Sequence, residues 1–226
     1  LFARAVVMSG GGRSLFPPRH ISQDRPGLPS GQNVGIAFAS KHGISGNGAD
    51  AATALRALST EQVIDGFNLA SLFSGGGANA PTGPVIDNIT HFDGAVGSQV
   101  PVMIGATSAD IGFLPAKNKD EIFARFGAKA DRARQLYDAD GTLPFQALLF
   151  KVGGDATMVE PARYASGRFA AAGQPVWHYR FGYVAESMRK EWPGAPHATD
   201  IPYFFNTVTA KYGDKLTAAD AKAAQQ

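Results

Sequence analysis

The sequence predicts an α/β fold built on a mainly parallel sheet with helices on both faces. Three observations carry that expectation. Short apolar runs of strand length stand at Arg4 to Met8 and Val100 to Ile104, as buried parallel strands require, and "PVWHYRF", Pro175 to Phe181, reads as a third strand. The first two run into glycine-bearing turns, "SGGG" and "GATSAD". Between the runs, apolar residues recur at helical spacing, and strands alternating with helices give a parallel sheet packed on both sides.

Taken in order, the first strand leads into residues 13–31, a proline-rich stretch that reads as loop. Helical spacing follows from Gln32 to about Gly43 and from Asp50 to Leu58. Ser59 with Gln62 three residues on is a capping signature for a further helix, which makes this a small helical segment. "FSGGGANAPTG" reads as a connector. No strand precedes it and no Lys-Ser/Thr follows it, so it does not suit a phosphate loop. After the second strand, helices are expected at Lys119 to Tyr137, Phe145 to Val152 and Glu160 to Gly173, the last with Pro161 near its start and Gly173 past its end. Thr217 with Asp220 opens an alanine-rich helix at the C-terminal end. There is no internal repeat.

Composition narrows the function classes. The 226 residues are 44% hydrophobic and 18% charged, which suits a globular chain with a sizeable core. Twenty-one Lys and Arg against 19 Asp and Glu leave a formal charge of +2, and the basic residues are scattered, which argues against a nucleic-acid partner. With no cysteine there is no disulfide, thiolate metal site or cysteine nucleophile. His20, His42, His91 and His178 are dispersed and no H-E-x-x-H occurs, so no metal set is expected. No apolar run approaches the roughly 18 residues of a membrane span. The apolar run at Ala5 to Met8 is shorter than the roughly 7–15 residues of a signal-peptide core. The chain lacks an initiator methionine and stops inside its last helix, so residues 1–226 are expected to be one partial domain of a longer protein.

Two chemistry-bearing residues share a location. Asp110 lies just past the carboxyl end of the second strand, and His197, in "PGAPHATDIPYFF", lies in the loop after the third. Sites in open α/β sheets form at the carboxyl ends of strands. An acid followed by a histidine is the order of an α/β-hydrolase triad, in which the imidazole takes a hydroxyl proton and the carboxylate orients it. The nucleophile should precede both on a G-x-S-x-G elbow, yet no serine has glycine two residues away on each side.

Four segments carry a resemblance that accounts for this pattern. "LFARAVVMSGGG" is similar to the strand and turn after the nucleophile helix in type B carboxylesterases, the family of cholinesterases and bacterial para-nitrobenzyl esterases. "GPVIDN" resembles that family's G-P-x-x-D-G segment, "VPVMIGATSADIGF" its strand and G-x-x-x-D-E-G turn, and "HATDIPYFFNTV" its histidine turn, H-x-x-E. The matches run in order over nearly the whole chain. The resemblance implies a partial α/β-hydrolase fold with helical insertions and an ester hydrolase acting through an acyl-enzyme on a small-molecule ester.

By the same resemblance, Asp110 falls on the family's glutamate acid and His197 on its base. Ser9 falls on a serine that supports the acid, and Asp200 on the acidic residue that braces the histidine loop. Arg13, Leu15 and Phe16 fall where the acyl pocket is lined. The serine elbow and oxyanion glycines are then expected upstream of this chain, and the isolated chain is expected to be inactive. Asp at position 110 is one methylene shorter than the family's acid, so its backbone must come closer.

Alternatives stand beside these readings. Asp110 also fits a helix N-cap, Asp200 is a rival acid, Ser9 a plain turn residue and Arg13 a surface arginine. The family includes cholinesterase-like adhesion proteins without catalysis, so a binding module is the competing function. A third expectation is that the chain alone exposes sheet edges and apolar faces and does not fold stably.

Overall fold

The computed structural model describes residues 2–10, 19–65, 67–68, 85–87, 100–112 and 114–225. The chain divides into two compact units. One comprises Leu1–Leu15 with Gly94–Gln226, and the other Phe16–Asp93.

In the larger unit, three strands form a parallel sheet in the order β1 (Ala5–Met8), β4 (Val102–Thr107), β5 (Val176–Phe181). The register aligns Val7 with Ile104 and His178, and Met8 with Gly105 and Tyr179. Since side chains alternate across a strand, Val102 and Ile104 face one way with Ala5, Val7 and Val176. They pack there against Ala162, Ala165 and Phe169 of α7 (Glu160–Ala171). The opposite face is covered at the strands' carboxyl ends, where Tyr179 and Phe181 meet Phe204 and Tyr203 of α8 (Ile201–Phe204) at ring-centroid distances of 5.5 and 5.2 Å. At the other end of that face Val6 and Trp177, which flank Met103, stay 54% and 56% exposed.

Gly105 permits this second face. A Cβ there would lie 2.5 Å from Cγ of Tyr179 and 2.2 Å from its carbonyl oxygen, so only glycine lets the ring lie against β4. β4 begins at Val102 and runs to Thr107, two to three residues further on than the apolar run suggests. Its small residues, Gly105 and Ala106, carry little hydropathy yet keep pairing with Tyr179 and Arg180.

A second core lies between α4 (Lys119–Ala124), α5 (Ala130–Tyr137) and α6 (Phe145–Gly154), centred on Ile122, Phe123, Ala133, Leu148 and Val152. The single helix expected over Lys119 to Tyr137 is broken. Gly127, at φ +53°, opens a 3₁₀ turn at Gly127–Lys129 that redirects the chain. Conversely, the two helices expected at Phe145 to Val152 and Glu160 to Gly173 join into one run through a π turn at Asp155–Val159. Pro161 has no N–H to donate one turn back, and the widened turn before it carries the helix through the proline instead of ending it.

Two short helices complete the described unit: α9 (Val208–Tyr212) and α10 (Ala218–Ala223). The Thr217 capping box opens α10, and its Asp220 is fully buried. Its carboxylate accepts from the Tyr183 hydroxyl at 2.8 Å and the Glu186 N–H at 3.0 Å, which ties the C-terminal helix to the segment after β5.

The smaller unit holds α1 (Gly31–Lys41), α2 (Ala49–Arg56), α3 (Thr60–Ile64) and a parallel pair of two-residue strands, β2 (Arg19–His20) and β3 (Val85–Ile86). Ser30 caps α1 through the Asn33 N–H, while Asp24 accepts from the Ser30 N–H and the Asn33 side chain. Ser59 and Gln62 form the expected capping box on α3. Among the described residues, no helix is long and apolar enough to cross a membrane.

Candidate active site

Three loops converge at the carboxyl end of the sheet. After β4 the chain turns through Ser108 and Ala109 to Asp110, whose side chain is fully shielded from solvent. Four donors reach its carboxylate. Oδ2 accepts from the Ser9 hydroxyl at 2.5 Å and the Thr107 N–H at 3.0 Å. Oδ1 accepts from the Ile111 N–H at 2.9 Å and from Nδ1 of His197 at 2.6 Å. With an ionised carboxylate, which only accepts, and a neutral imidazole, this bond puts the proton on Nδ1 and leaves Nε2 of His197 an acceptor with no partner among the described residues. The imidazole is 37% exposed, so the ring is braced on one side and reachable on the other.

Local backbone geometry delivers each side chain. Ser9 adopts φ +53°, unusual for a residue with a side chain, at the turn that ends β1, and its N–H bonds the Gly105 carbonyl at 2.9 Å. Ala198, directly after the histidine, is also left-handed at φ +64°. Each such residue costs on the order of 1 kcal/mol and persists where its surroundings hold it. The acid loop also lies hard against the long helix. A Cβ on Gly112 would fall 1.8 Å from the carbonyl carbon of Gly153, and one on Gly154 would fall 2.6 Å from the Asp110 carbonyl oxygen.

The alternatives for the two acids separate on geometry. Asp110 caps no helix, since the next one, α4, starts at Lys119 under Asn118. Asp200 is buried but bonds neither His197 nor Asp110. Its Oδ2 accepts from the Tyr179 hydroxyl at 3.0 Å, and its carbonyl takes the N–H groups of Tyr203 and Phe204 at the start of α8. Burial, with the charges of Asp200 and Asp110 behind it, pushes the Tyr179 phenol well above its ordinary pKa, so Tyr179 stays a neutral donor. His178 is exposed on β5. Arg13, Leu15 and Phe16 lie outside the described residues, as does the connector "FSGGGANAPTG". No group of three metal-ligating side chains occurs among the described residues.

Sequence reasoning passed over Ser108, Tyr179 and the Gly153-Gly154 pair. The last falls between the two helices expected there, where a glycine doublet reads as a break and gives no sign of packing.

Together the parallel sheet, its flanking helices and the loops at its carboxyl end define a partial α/β fold. No family model and no curated protein matches the chain. Among solved structures it is similar to EstA of Aspergillus niger, an esterase, with a TM-score of 0.50 and 20% identity over 96% of this chain. The chain spans 44% of the length of EstA. At that identity the likeness speaks to the fold.

Proposed function

We propose that the chain is the acid- and base-bearing portion of a carboxylic ester hydrolase of the type B carboxylesterase kind, with its nucleophilic serine and oxyanion donors supplied by a segment outside these 226 residues. The observation that carries this reading is the 2.6 Å contact from Nδ1 of His197 to a fully shielded Asp110 carboxylate that already holds three other donors. In that arrangement the serine oxygen attacks the ester carbonyl while Nε2 takes its proton. Asp110 holds the tautomer and stabilises the imidazolium without taking the proton itself. The imidazolium then protonates the departing alkoxide, leaving an acyl-enzyme. Water, deprotonated by the same Nε2, attacks the acyl carbon, and the serine leaves with the proton returned to it.

The fold's likeness to an esterase supports the reaction class. Retention of a paired acid and histidine at the sheet's carboxyl end favours an enzyme over an adhesion module, which has no use for a free Nε2. His197→Ala, in the chain extended to include the serine, is expected to abolish turnover while leaving the protein folded. Near-native ester hydrolysis by that variant sinks the assignment.

A further inference from the structure

The Asp110–His197 pair joins residues 87 positions apart, and the two loops that carry it are bonded to each other around Ser108. The Ser108 N–H takes the Phe181 carbonyl at 2.8 Å, the last rung between β4 and β5, and its carbonyl accepts from the Arg180 guanidinium at 3.2 Å. One residue on, the edge of β4 has changed partners. The Ala109 N–H takes the Ala195 carbonyl at 2.9 Å, and Ala109 pairs in parallel with Pro196.

Pro196 has no N–H, so it donates no main-chain bond back at that point. The returning donor is the Ala195 N–H, on a residue with 0% exposure, and its acceptor is the Ser108 hydroxyl at 2.9 Å. Gly194 lets the loop come this near. A Cβ there would lie 3.0 Å from both Ser108 Oγ and Ala109 Cβ. His197 follows Ala195 by two residues, so the position of Ala195 bears on where the imidazole sits.

We infer that Ser108 is the positioning residue of the histidine loop: its hydroxyl stands in for a strand carbonyl and sets the register at which Nδ1 meets Asp110. This rests on the reading of His197 as the general base. Ser108→Ala leaves the Ala195 N–H buried and unpaired, and the loop then moves to find another acceptor. A displacement of the order of 1 Å between reacting groups costs about 100-fold in rate.

The test is made in the extended, serine-bearing protein with Ser108→Ala and Ser108→Thr, and with Ser108→Cys carrying the same comparison should the alanine variant not fold. Two readouts are taken: the low-field proton resonance of His197 Nδ1–H, identified by its loss in Asp110→Asn, and kcat against KM on a short-chain para-nitrophenyl ester. Ser108→Ala is expected to weaken or abolish the resonance and lower kcat about 10- to 100-fold at unchanged KM. Ser108→Thr, which keeps the hydroxyl, is expected to restore both, and Ser108→Cys, a weak acceptor, to behave like alanine. An unchanged resonance in Ser108→Ala, or in Ser108→Cys where alanine does not fold, overturns the inference whether or not the protein hydrolyses esters. A resonance that responds as expected in a protein with no esterase activity overturns the proposed function and leaves the positioning role standing.

Discussion

Asp110 and His197 sit 2.6 Å apart and are held in opposite ways. The acid loop is caged. Its carboxylate has no solvent exposure and four donors, and its backbone lies against Gly153 and Gly154 as tightly as glycine allows. The histidine loop is tethered by a few rungs to Ser108 and Ala109 and leaves a ring 37% exposed. The difference fits a division of labour. An orienting group gains from rigidity and dryness, which strengthen its bond, whereas a proton-transferring group needs one nitrogen open to its substrate.

That comparison breaks most visibly at the acid itself. Asp110→Asn replaces an acceptor with an amide that favours the wrong imidazole tautomer, and in the serine-bearing protein kcat is expected to fall about 10⁴-fold. A loss within tenfold would mean that Asp110 does not orient the base. The next effect comes from the cage. Gly154→Ala drives a methyl to 2.6 Å from the Asp110 carbonyl oxygen, and overpacking of this kind costs about 1–3 kcal/mol. Gly194→Ala on the histidine loop meets neighbours at 3.0 Å and is expected to lower the melting temperature less. Equal shifts for the two alanines would erase the contrast between loops.

Ser9→Ala is a finer cut. It leaves Oδ2 with the Thr107 N–H alone, and losing one donor on a buried charged acceptor costs about 1.5–3 kcal/mol. Chemical denaturation and kcat should both register it, with a smaller rate loss than Asp110→Asn. The smallest effect on turnover is expected at Asp220, whose hydrogen-bond partners Tyr183, Glu186 and Thr217 include neither Asp110 nor His197. Burial pushes its carboxyl upward, but hydrogen bonds from Thr217, Glu186 and Tyr183 outweigh that and hold it below the usual aspartate value. A folded-state pKa below the unfolded one contributes stability that is present above the unfolded value, about 3.9, and lost as pH falls through the folded one. Asp220→Asn should therefore lower the melting temperature at neutral pH, flatten its decline below about pH 4, and leave kcat unchanged.

How far the sequence reached depended on the range of the interaction. Capping boxes at Ser59 and Thr217 are encoded within four residues and are legible as written. β1 and β4 stood out as apolar runs and β5 was legible as a strand, although the end of β4 was not, because Gly105 and Ala106 carry no strong hydropathy. Helix continuity was misjudged at Pro161 and Gly127, where a π turn and a positive φ decide the outcome and neither leaves a periodic trace. Asp110 and His197 stood out by residue type, turn context and order along the chain. Ser108 had no such signal. Its partner, the Ala195 N–H, is a backbone atom 87 residues away, and nothing in a serine's neighbours announces a bond of that kind.

The central claim is that His197 is a base braced by Asp110 and separated here from its serine. Its most direct test is hydrolysis of a short-chain para-nitrophenyl ester by the 226-residue chain beside the same chain extended upstream through the preceding coding sequence. The account predicts turnover by the extended protein alone. Equal turnover by the 226 residues would contradict it, because a nucleophile would then lie within them.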